Sequence, residues 1–123
     1  MINEVSTRLL VLSMDMEAYK QQVAAVNVAN ASNKGYTVHK VNFNQVLEQL
    51  ESSSDRHQLA RRIELYKTDN IGQFAEIEPQ IGGAPVMLDE EILASSQAAG
   101  KYQALAELLD RRFGLIRMGI KGQ

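Results

Sequence analysis

The stretch INEVSTRLLVLSMDMEAYKQQVAAVNVAN, residues 2–30, decides the fold of this chain. Its apolar residues recur at alternating steps of three and four, the a/d pattern of a long helix that packs along another helix. A helix over residues 3–31 would be roughly 42 Å long. The apolar stripe consists of Ile2, Val5, Leu9, Leu12, Met16, Tyr19, Val23 and Val26.

The last segment repeats this pattern and predicts a second long helix over residues 88–120. Three acidic residues at its start complement the positive end of a helix dipole. Its stripe consists of Leu88, Ile92, Ser95, Ala99, Tyr102, Ala106, Leu109, Phe113, Ile116 and Ile120. A second apolar row beside the stripe, which we expect to face neighbouring molecules, consists of Leu93, Ala94, Ala98, Leu105, Leu108 and Leu115.

The segment between the two long helices has shorter signals. Apolar spacing predicts a helix over residues 42–52 and a second over 55–67. Prolines and glycines cluster within residues 68–87, which predicts loop or extended chain, with a bend at 82–85. Within that stretch we expect Glu76 and Glu78 to be solvated loop residues.

The lengths of the helices predict a mainly α fold of elongated shape. A compact chain of this size has a radius of gyration of roughly 14 Å, too small for two helices of this length. We expect an antiparallel coiled coil with residues 32–87 at one end, and apolar surface covered by other copies. The alternative is a four-helix bundle in which the middle helices cover the pair.

Composition excludes several classes of protein. The chain has 123 residues, a formal net charge of −2 and no cysteine. It has no apolar run of about 18–20 residues, so we expect no transmembrane helix. The balanced charge gives no excess for nucleic acid or anionic membranes. Without cysteine there are no disulfides or thiolate ligands. Glu4 stands where a cleavable signal would be basic.

No pattern in the sequence predicts catalysis, a cofactor or a metal site. His39 and His57 lack any metal-ligand spacing. Consecutive acids at Asp89, Glu90 and Glu91 point about 100° apart on a helix, so they mark a helix start. The run Ser52–Ser54 followed by Asp55 is typical of a turn and a helix cap. We therefore expect a protein that is not an enzyme.

One basic cluster stands out near the middle of the chain. It could meet an acidic partner or phosphates, but a solvated helix face is the simpler interpretation. Its members are Arg56, His57, Arg61, Arg62 and Lys67.

The end of the first helix carries an unusual group of asparagines. Asn27, Asn30 and Asn33 are spaced at steps of three and are followed by Gly35 and Tyr36. Their side chains can bond the carbonyls that a helix end leaves free, and Gly35 can take the left-handed conformation that stops a helix. Ordinary helix termination does not explain Asn30, which continues the apolar stripe.

The run VNVANASNKGY, residues 26–36, resembles the N-terminal signature of bacterial flagellar axial proteins, the rod, hook and hook-associated proteins. That signature is Asn-x-x-Asn-x-x-Thr-x-Gly-Tyr. Asn33 stands where the family has threonine, and Lys34 where proline is common. The C-terminal runs 86–91 and 101–109 resemble the family's proximal rod members, although Met87 replaces the usual acid.

The resemblance implies a structural subunit of a tubular rod. Residues 1–36 and 88–123 would form the inner helical layer of one domain, and residues 37–87 a variable outer segment. The motif residues Asn27, Asn30, Asn33, Gly35 and Tyr36 would set where the inner helix stops. The assembly interface would comprise Val5, Leu9, Leu12, Met16, Tyr19, Val23, Val26, Ile92, Ala99, Tyr102, Leu105, Leu108, Leu109, Phe113 and Ile116.

The resemblance also implies partners and a location. The partners would be further copies, rod proteins of the FlgC and FliE types, and the flagellar export apparatus. The location would be the periplasmic rod of the basal body, reached through the flagellar type III pathway without a cleaved signal. Two alternatives stay open: another proximal rod subunit of the FlgC type, and a helical export chaperone or binding module.

Overall fold

A computed structural model describes residues 4–66, 70–79 and 87–121, and within the last range it leaves aside the side chains of residues 109, 112, 113 and 115–121. Two long helices dominate: α1 (Glu4–Ala29) and α4 (Leu88–Lys121). They have 26 and 34 residues, which correspond to about 39 and 51 Å. The predicted mainly helical fold with two long terminal helices is confirmed.

The two long helices pack against each other in opposite directions. Asn27, near the end of α1, bonds Glu91 in the first turns of α4. The first turn of α1 contains Glu4, and that of α4 contains Asp89 and Glu90, where negative charge stabilises a helix start. No described helix is both long enough and apolar enough to cross a membrane.

The middle segment consists of short elements. Two helices, α2 (Asn44–Glu51) and α3 (Arg56–Leu65), confirm the predicted pair. Asp55 caps α3 by accepting a hydrogen bond from the Gln58 amide at 2.8 Å, as the sequence predicted. A 3-10 turn (Ile71–Phe74) follows.

A two-stranded antiparallel sheet completes the middle segment. The sequence pattern did not predict the first of its two strands. Strand β1 (His39–Asn42) pairs with β2 (Glu76–Pro79), and Lys40 lies opposite Glu78. The expected extended chain is therefore present at residues 76–79, whereas the predicted bend at 82–85 lies outside the described residues. Glu76 and Glu78 lie in strand β2 rather than in a loop, and the Glu76 carboxylate accepts a hydrogen bond from the Gln45 amide at 3.2 Å.

The hydrophobic core lies between α1 and the middle segment. Val5, Leu9 and Tyr19 of α1 pack against it, and the Tyr19 ring meets the Phe43 ring edge-on at 6.0 Å. Within the described chain α4 contributes no member of this cluster. Its buried members are Leu12, Met16, Phe43, Val46, Leu50, Ile63 and Ile71.

The expected position of the middle segment is therefore wrong. Instead of lying at one end of the helix pair, it folds back along α1, and Arg8 pairs with Glu64 of α3 at 2.6 Å. The physical reason is that Val46, Leu50 and Ile63 need an apolar partner, and the stripe of α1 provides one. The structure thus combines the expected pair of long helices with a feature of the four-helix alternative, since α2 and α3 pack against α1.

Candidate functional site

The asparagine motif centres on Asn27, which is 1% exposed. Its amide nitrogen donates to the His39 carbonyl and to Glu91 Oε2, both at 2.9 Å. Its amide oxygen accepts from the Tyr36 hydroxyl at 2.7 Å and from the His39 amide at 3.3 Å. An asparagine side chain offers two donors and two acceptor positions, so all four are used. One side chain therefore joins α1, the turn after it, β1 and α4.

The partners of Asn27 form a compact polar junction, which we define as Asn27, Tyr36, His39 and Glu91. Glu91 is only 8% exposed. The Tyr36 and His39 rings meet edge-on at 5.9 Å. Loss of hydration and the nearby Glu91 carboxylate raise the pKa of Tyr36 above its ordinary value of 10.0.

The raised pKa keeps the Tyr36 hydroxyl as a donor to Asn27. Because the folded pKa exceeds the unfolded one, the contribution of this group to stability is complete below about pH 10. That contribution is lost as the pH rises through the folded pKa. Neutral and mildly alkaline solutions therefore leave the Tyr36 hydroxyl protonated.

The other motif residues partly follow the sequence prediction. Asn30 donates to the Val26 carbonyl at 2.8 Å, but that carbonyl also accepts from the Asn30 backbone amide at 3.1 Å, so it is not one of the carbonyls that the helix end leaves free. The Asn33 side chain instead accepts from the Gly35 amide at 3.2 Å. The left-handed conformation predicted for Gly35 is wrong, because its φ lies outside that region. Helix α1 has already ended at Ala29, so Gly35 does not need to stop it.

Sequence reasoning missed the role of Glu91 and His39. Both were interpreted individually, as a helix start and as an isolated histidine. Their common partner Asn27 lies 64 residues from Glu91 and 12 from His39, so no local spacing signals the junction. Among the described residues no group of three or more His, Asp or Glu side chains could hold a metal ion.

On α4 the predicted contact face differs from the observed one. Leu88, Ile92 and Tyr102 were expected to face α1, yet they are exposed, Ile92 by 54%. Among the described side chains of α4, the buried ones are instead Glu91 and Ala98. The physical reason is that the small side chain of Ala98 and the hydrogen bond between Asn27 and Glu91 allow the two helices to approach closely. A row of large side chains would hold the helices apart.

One exposed side of α4 forms a face that we call the outer face. Leu93 and Leu108 are 57% and 49% exposed. A β-carbon added at Gly100 would meet nothing within 4 Å. At about 100° per residue the members lie within roughly 80° of one another. The outer face consists of Leu93, Gln97, Gly100, Ala104 and Leu108, all exposed.

A second exposed face lies on α1, on the opposite side of the helix from α4. We call it the α1 groove and define it by Val11, Asp15, Gln22 and Val26, all exposed. An apolar cavity of about 250 Å³ lies at Val11 and Asp15, walled by α3. A cavity of about 360 Å³ lies at Gln22 and Val26, walled in part by Ile77.

The predicted assembly residues fall into three groups. On α1, Leu12 and Met16 are buried in the subunit, Val5, Leu9, Tyr19 and Val23 are half-buried, and Val26 is exposed. On α4, Ile92, Tyr102 and Leu108 are exposed, and Ala99 and Leu105 are half-buried. The side chains of Leu109, Phe113 and Ile116 lie outside the described residues.

The basic cluster is divided in the structure. Arg62 donates to the Gln49 carbonyl and to Ser52 at 2.9 Å, so it holds the α2–α3 turn. Arg56, His57 and Arg61 are exposed on α3, in line with a solvated helix face. Lys67 lies outside the described residues.

Comparison with known proteins finds a relative of this chain. The chain is 28% identical over 107 residues to the flagellar basal body rod protein FlgB of Bacillus subtilis (strain 168). The alignment covers 84% of this chain and 83% of that protein. No protein-family model matches the chain, and the search of solved structures found no significant match. The similarity to FlgB supports a relationship with the flagellar rod proteins.

Proposed function

We propose that this protein is a structural subunit of the proximal rod of the bacterial flagellar basal body, of the FlgB type. The observation that carries the proposal is the similarity to FlgB, which extends over 84% of the chain. The motif that resembles the axial-protein signature supplies the polar junction. The subunit would transmit torque as part of the drive shaft, and no chemical step is assigned to it.

The exposed apolar surface supports an assembling role. Leu93 and Leu108 lie on the outer face of α4, and Val11 and Val26 lie in the α1 groove, each 42% exposed or more. Large apolar side chains that the subunit leaves exposed are available for contacts with other molecules. Surfaces that differ on the two sides of a subunit generate open polymers or rings. A rod needs such contacts.

The subunit type, partners and location follow as parts of this proposal. The FlgB type is favoured over the FlgC type because FlgB is the relative found, and because the chain lacks a proline-histidine-proline segment before α4. Residues 1–36 and 88–123 would form the inner layer, and residues 37–87 the outer segment. Partners would be further copies, FlgC-type and FliE-type proteins and the export apparatus, in the periplasmic rod.

Charge insertion on the outer face tests the proposal. The source strain, with its own gene deleted, would carry a Leu93→Asp, Leu108→Asp double variant. We expect loss of swimming and basal bodies without a complete rod, while the variant is still exported. A carboxylate on an apolar contact surface is desolvated without a partner, which blocks the contact.

The matched control is the Ser96→Asp, Gln103→Asp double variant. Both positions are exposed on α4 but lie outside the outer face, so swimming should persist. Normal swimming of the Leu93→Asp, Leu108→Asp strain would contradict the proposal. A purified chain that native mass spectrometry shows to be a stable closed dimer would favour the chaperone alternative.

A further inference from the structure

We propose that the unpaired side of strand β2 binds an extended segment of a different protein, in which one apolar residue lies between two basic residues. Strand β2 (Glu76–Pro79) belongs to the middle segment of the chain. Within the described ranges the sheet has two strands, so β2 has β1 on one side and no strand on the other. This side of the sheet has no part in the proposed rod contacts, so the two proposals stand independently.

The position of Asn27 shows how the backbone groups of the sheet are directed. Its side chain bonds both the N–H and the C=O of His39, so these two groups point away from β2. Backbone groups alternate in direction along a strand, and those of Lys40 therefore point toward β2. Pro79 is the partner of His39, which agrees with this arrangement because proline has no N–H to donate to β1.

The same alternation on β2 defines its free edge. Glu78 is the partner of Lys40, so its backbone groups point toward β1 and those of Ile77 point away. We call the N–H and C=O of Ile77 and the C=O of Pro79 the free edge. Ile77 is 46% exposed, and outside the sheet the described chain gives it no hydrogen-bond partner. Unpaired backbone groups on an exposed strand are a template for a further strand.

Charge on the outward face of the sheet selects the partner. Glu76 and Glu78 lie on the face opposite to that of Ile77, because side chains alternate along a strand. Glu78 is exposed and has no ion pair within the described chain. Opposite charges on directly opposed residues stabilise an antiparallel pair of strands. The strand that fits therefore carries a Lys or Arg opposite each glutamate, with one residue between them.

A second copy of this chain does not meet this requirement. If β2 paired with β2 of another copy around Ile77, Glu76 of each copy would lie opposite Glu78 of the other, and like charges in such pairs are destabilising. In the whole sequence no two Lys or Arg residues are separated by a single residue. No other segment of the chain offers the basic pair, so the occupant is a different protein.

The inward face of the sheet accounts for the apolar residue between the two basic ones. Ile77 lies on this face beside Val41, which packs against the hydrophobic core. Ile77 also forms part of the wall of a cavity of about 360 Å³, together with Tyr19 and Val26. The central residue of the added strand would lie next to Ile77 on the same face, so an apolar side chain there would cover exposed apolar surface.

Peptide binding to the purified full chain tests the proposal. The probe is a fluorescein-labelled peptide, Gly-Thr-Lys-Val-Lys-Thr-Gly, whose valine would lie opposite Ile77. We expect saturable binding by fluorescence anisotropy. The same peptide with glutamate in place of both lysines should bind about tenfold more weakly or worse, because it opposes Glu76 and Glu78. Absence of binding by the lysine peptide, or equal affinity of the two peptides, would overturn the proposal.

Two N-methylated peptides distinguish strand pairing from simple charge attraction. A methyl group on the valine nitrogen removes the donor to the Ile77 carbonyl, so binding should weaken about tenfold or more. A methyl group on the nitrogen of the preceding lysine points away from β2 and should change the affinity by less than about twofold. Equal affinities of the two methylated peptides would rule out the pairing.

Matched variants of the protein test the charge. Glu78→Gln should weaken binding of the lysine peptide by about two- to fivefold, the size expected for one cross-strand ion pair. Glu107→Gln removes an exposed carboxylate from α4 and should leave binding unchanged. The same loss in both variants would show that the peptide responds to net charge alone and not to the free edge.

Amide hydrogen exchange locates the bound strand. Without peptide the Ile77 amide should exchange faster than the Glu78 amide, which bonds β1, and the lysine peptide should slow the exchange of Ile77. If exchange at Ile77 slows as the protein itself is concentrated without peptide, the edge belongs to a second copy and the proposal is wrong.

Discussion

The two long helices of this protein are similar in pattern but differ in how the chain covers them. Helix α1 packs on α4 at one side and on the middle segment at another, where Leu12 and Met16 are buried. Helix α4 has few buried side chains among those described, chiefly Glu91 and Ala98. The comparison teaches that an apolar stripe predicts a contact without saying whether the partner lies in the same chain.

The largest expected effect tests the buried side of this comparison. Phe43→Ala removes a ring that is almost fully buried against Tyr19, so it should lower the free energy of unfolding by about 3–5 kcal/mol. Leu108→Ala removes an exposed side chain and should change it by less than about 0.5 kcal/mol. Urea denaturation followed by circular dichroism measures both. Equal losses would show that α4 belongs to the same core.

The next effect concerns the polar junction. In the natural protein the Asn27 amide nitrogen lies 2.9 Å from Glu91 Oε2. Asn27→Asp replaces this donor by an acceptor oxygen and places a second carboxylate beside Glu91. At neutral pH the variant should lose about 3 kcal/mol or more, because a buried charge is left without compensation. Asn30→Asp, at a partly exposed position, is the matched control and should lose much less.

The pH dependence of the Asn27→Asp variant has a defined sign. Burial and the neighbouring like charge raise the pKa of the new carboxyl group in the folded state above its unfolded value. Relative to the unchanged protein, the loss of stability should therefore be smallest in acid, below the unfolded pKa, and grow as the pH rises through the folded pKa. A deficit that stays constant between acid and neutral pH would contradict the proposed role of Glu91.

The smallest effect compares two glycines. A β-carbon at Gly72 would lie 2.4 Å from the Tyr19 ring, so Gly72→Ala should cost about 1–3 kcal/mol. Gly100 lies in the middle of α4 with open space around it, so Gly100→Ala should stabilise the helix by up to about 1 kcal/mol. Thermal unfolding of the two variants measures the contrast. A stabilised Gly72→Ala variant would show that Tyr19 does not pack there.

Much of the helical architecture could be predicted from the sequence, because periodicity reports directly on an amphipathic helix. The residues 2–26 and 88–120 gave two long helices, and the cap at Asp55 was visible locally. The face of α4 that contacts α1 could not be predicted, because it is formed by Ala98 and Glu91 rather than by the largest apolar side chains.

The polar junction shows a second limit of sequence reasoning. The side-chain bond of Asn30 joins residues four apart, a distance at which sequence spacing is informative. The bonds of Asn27 reach β1 and α4, and each depends on how the whole chain is folded. When a motif acts through partners that are distant in sequence, the sequence shows that its composition is unusual but does not identify those partners.

The position of the hydrophobic core has a consequence for the order in which the molecule can form. Among the side chains that the structure describes, every member of the buried cluster lies between Leu12 and Ile71. A polypeptide that emerges with its N-terminus first, from a ribosome or from any narrow conduit, presents the complete cluster before α4 appears. The earlier part can therefore condense while the later part is still being delivered, and α4 then docks onto a surface that already exists.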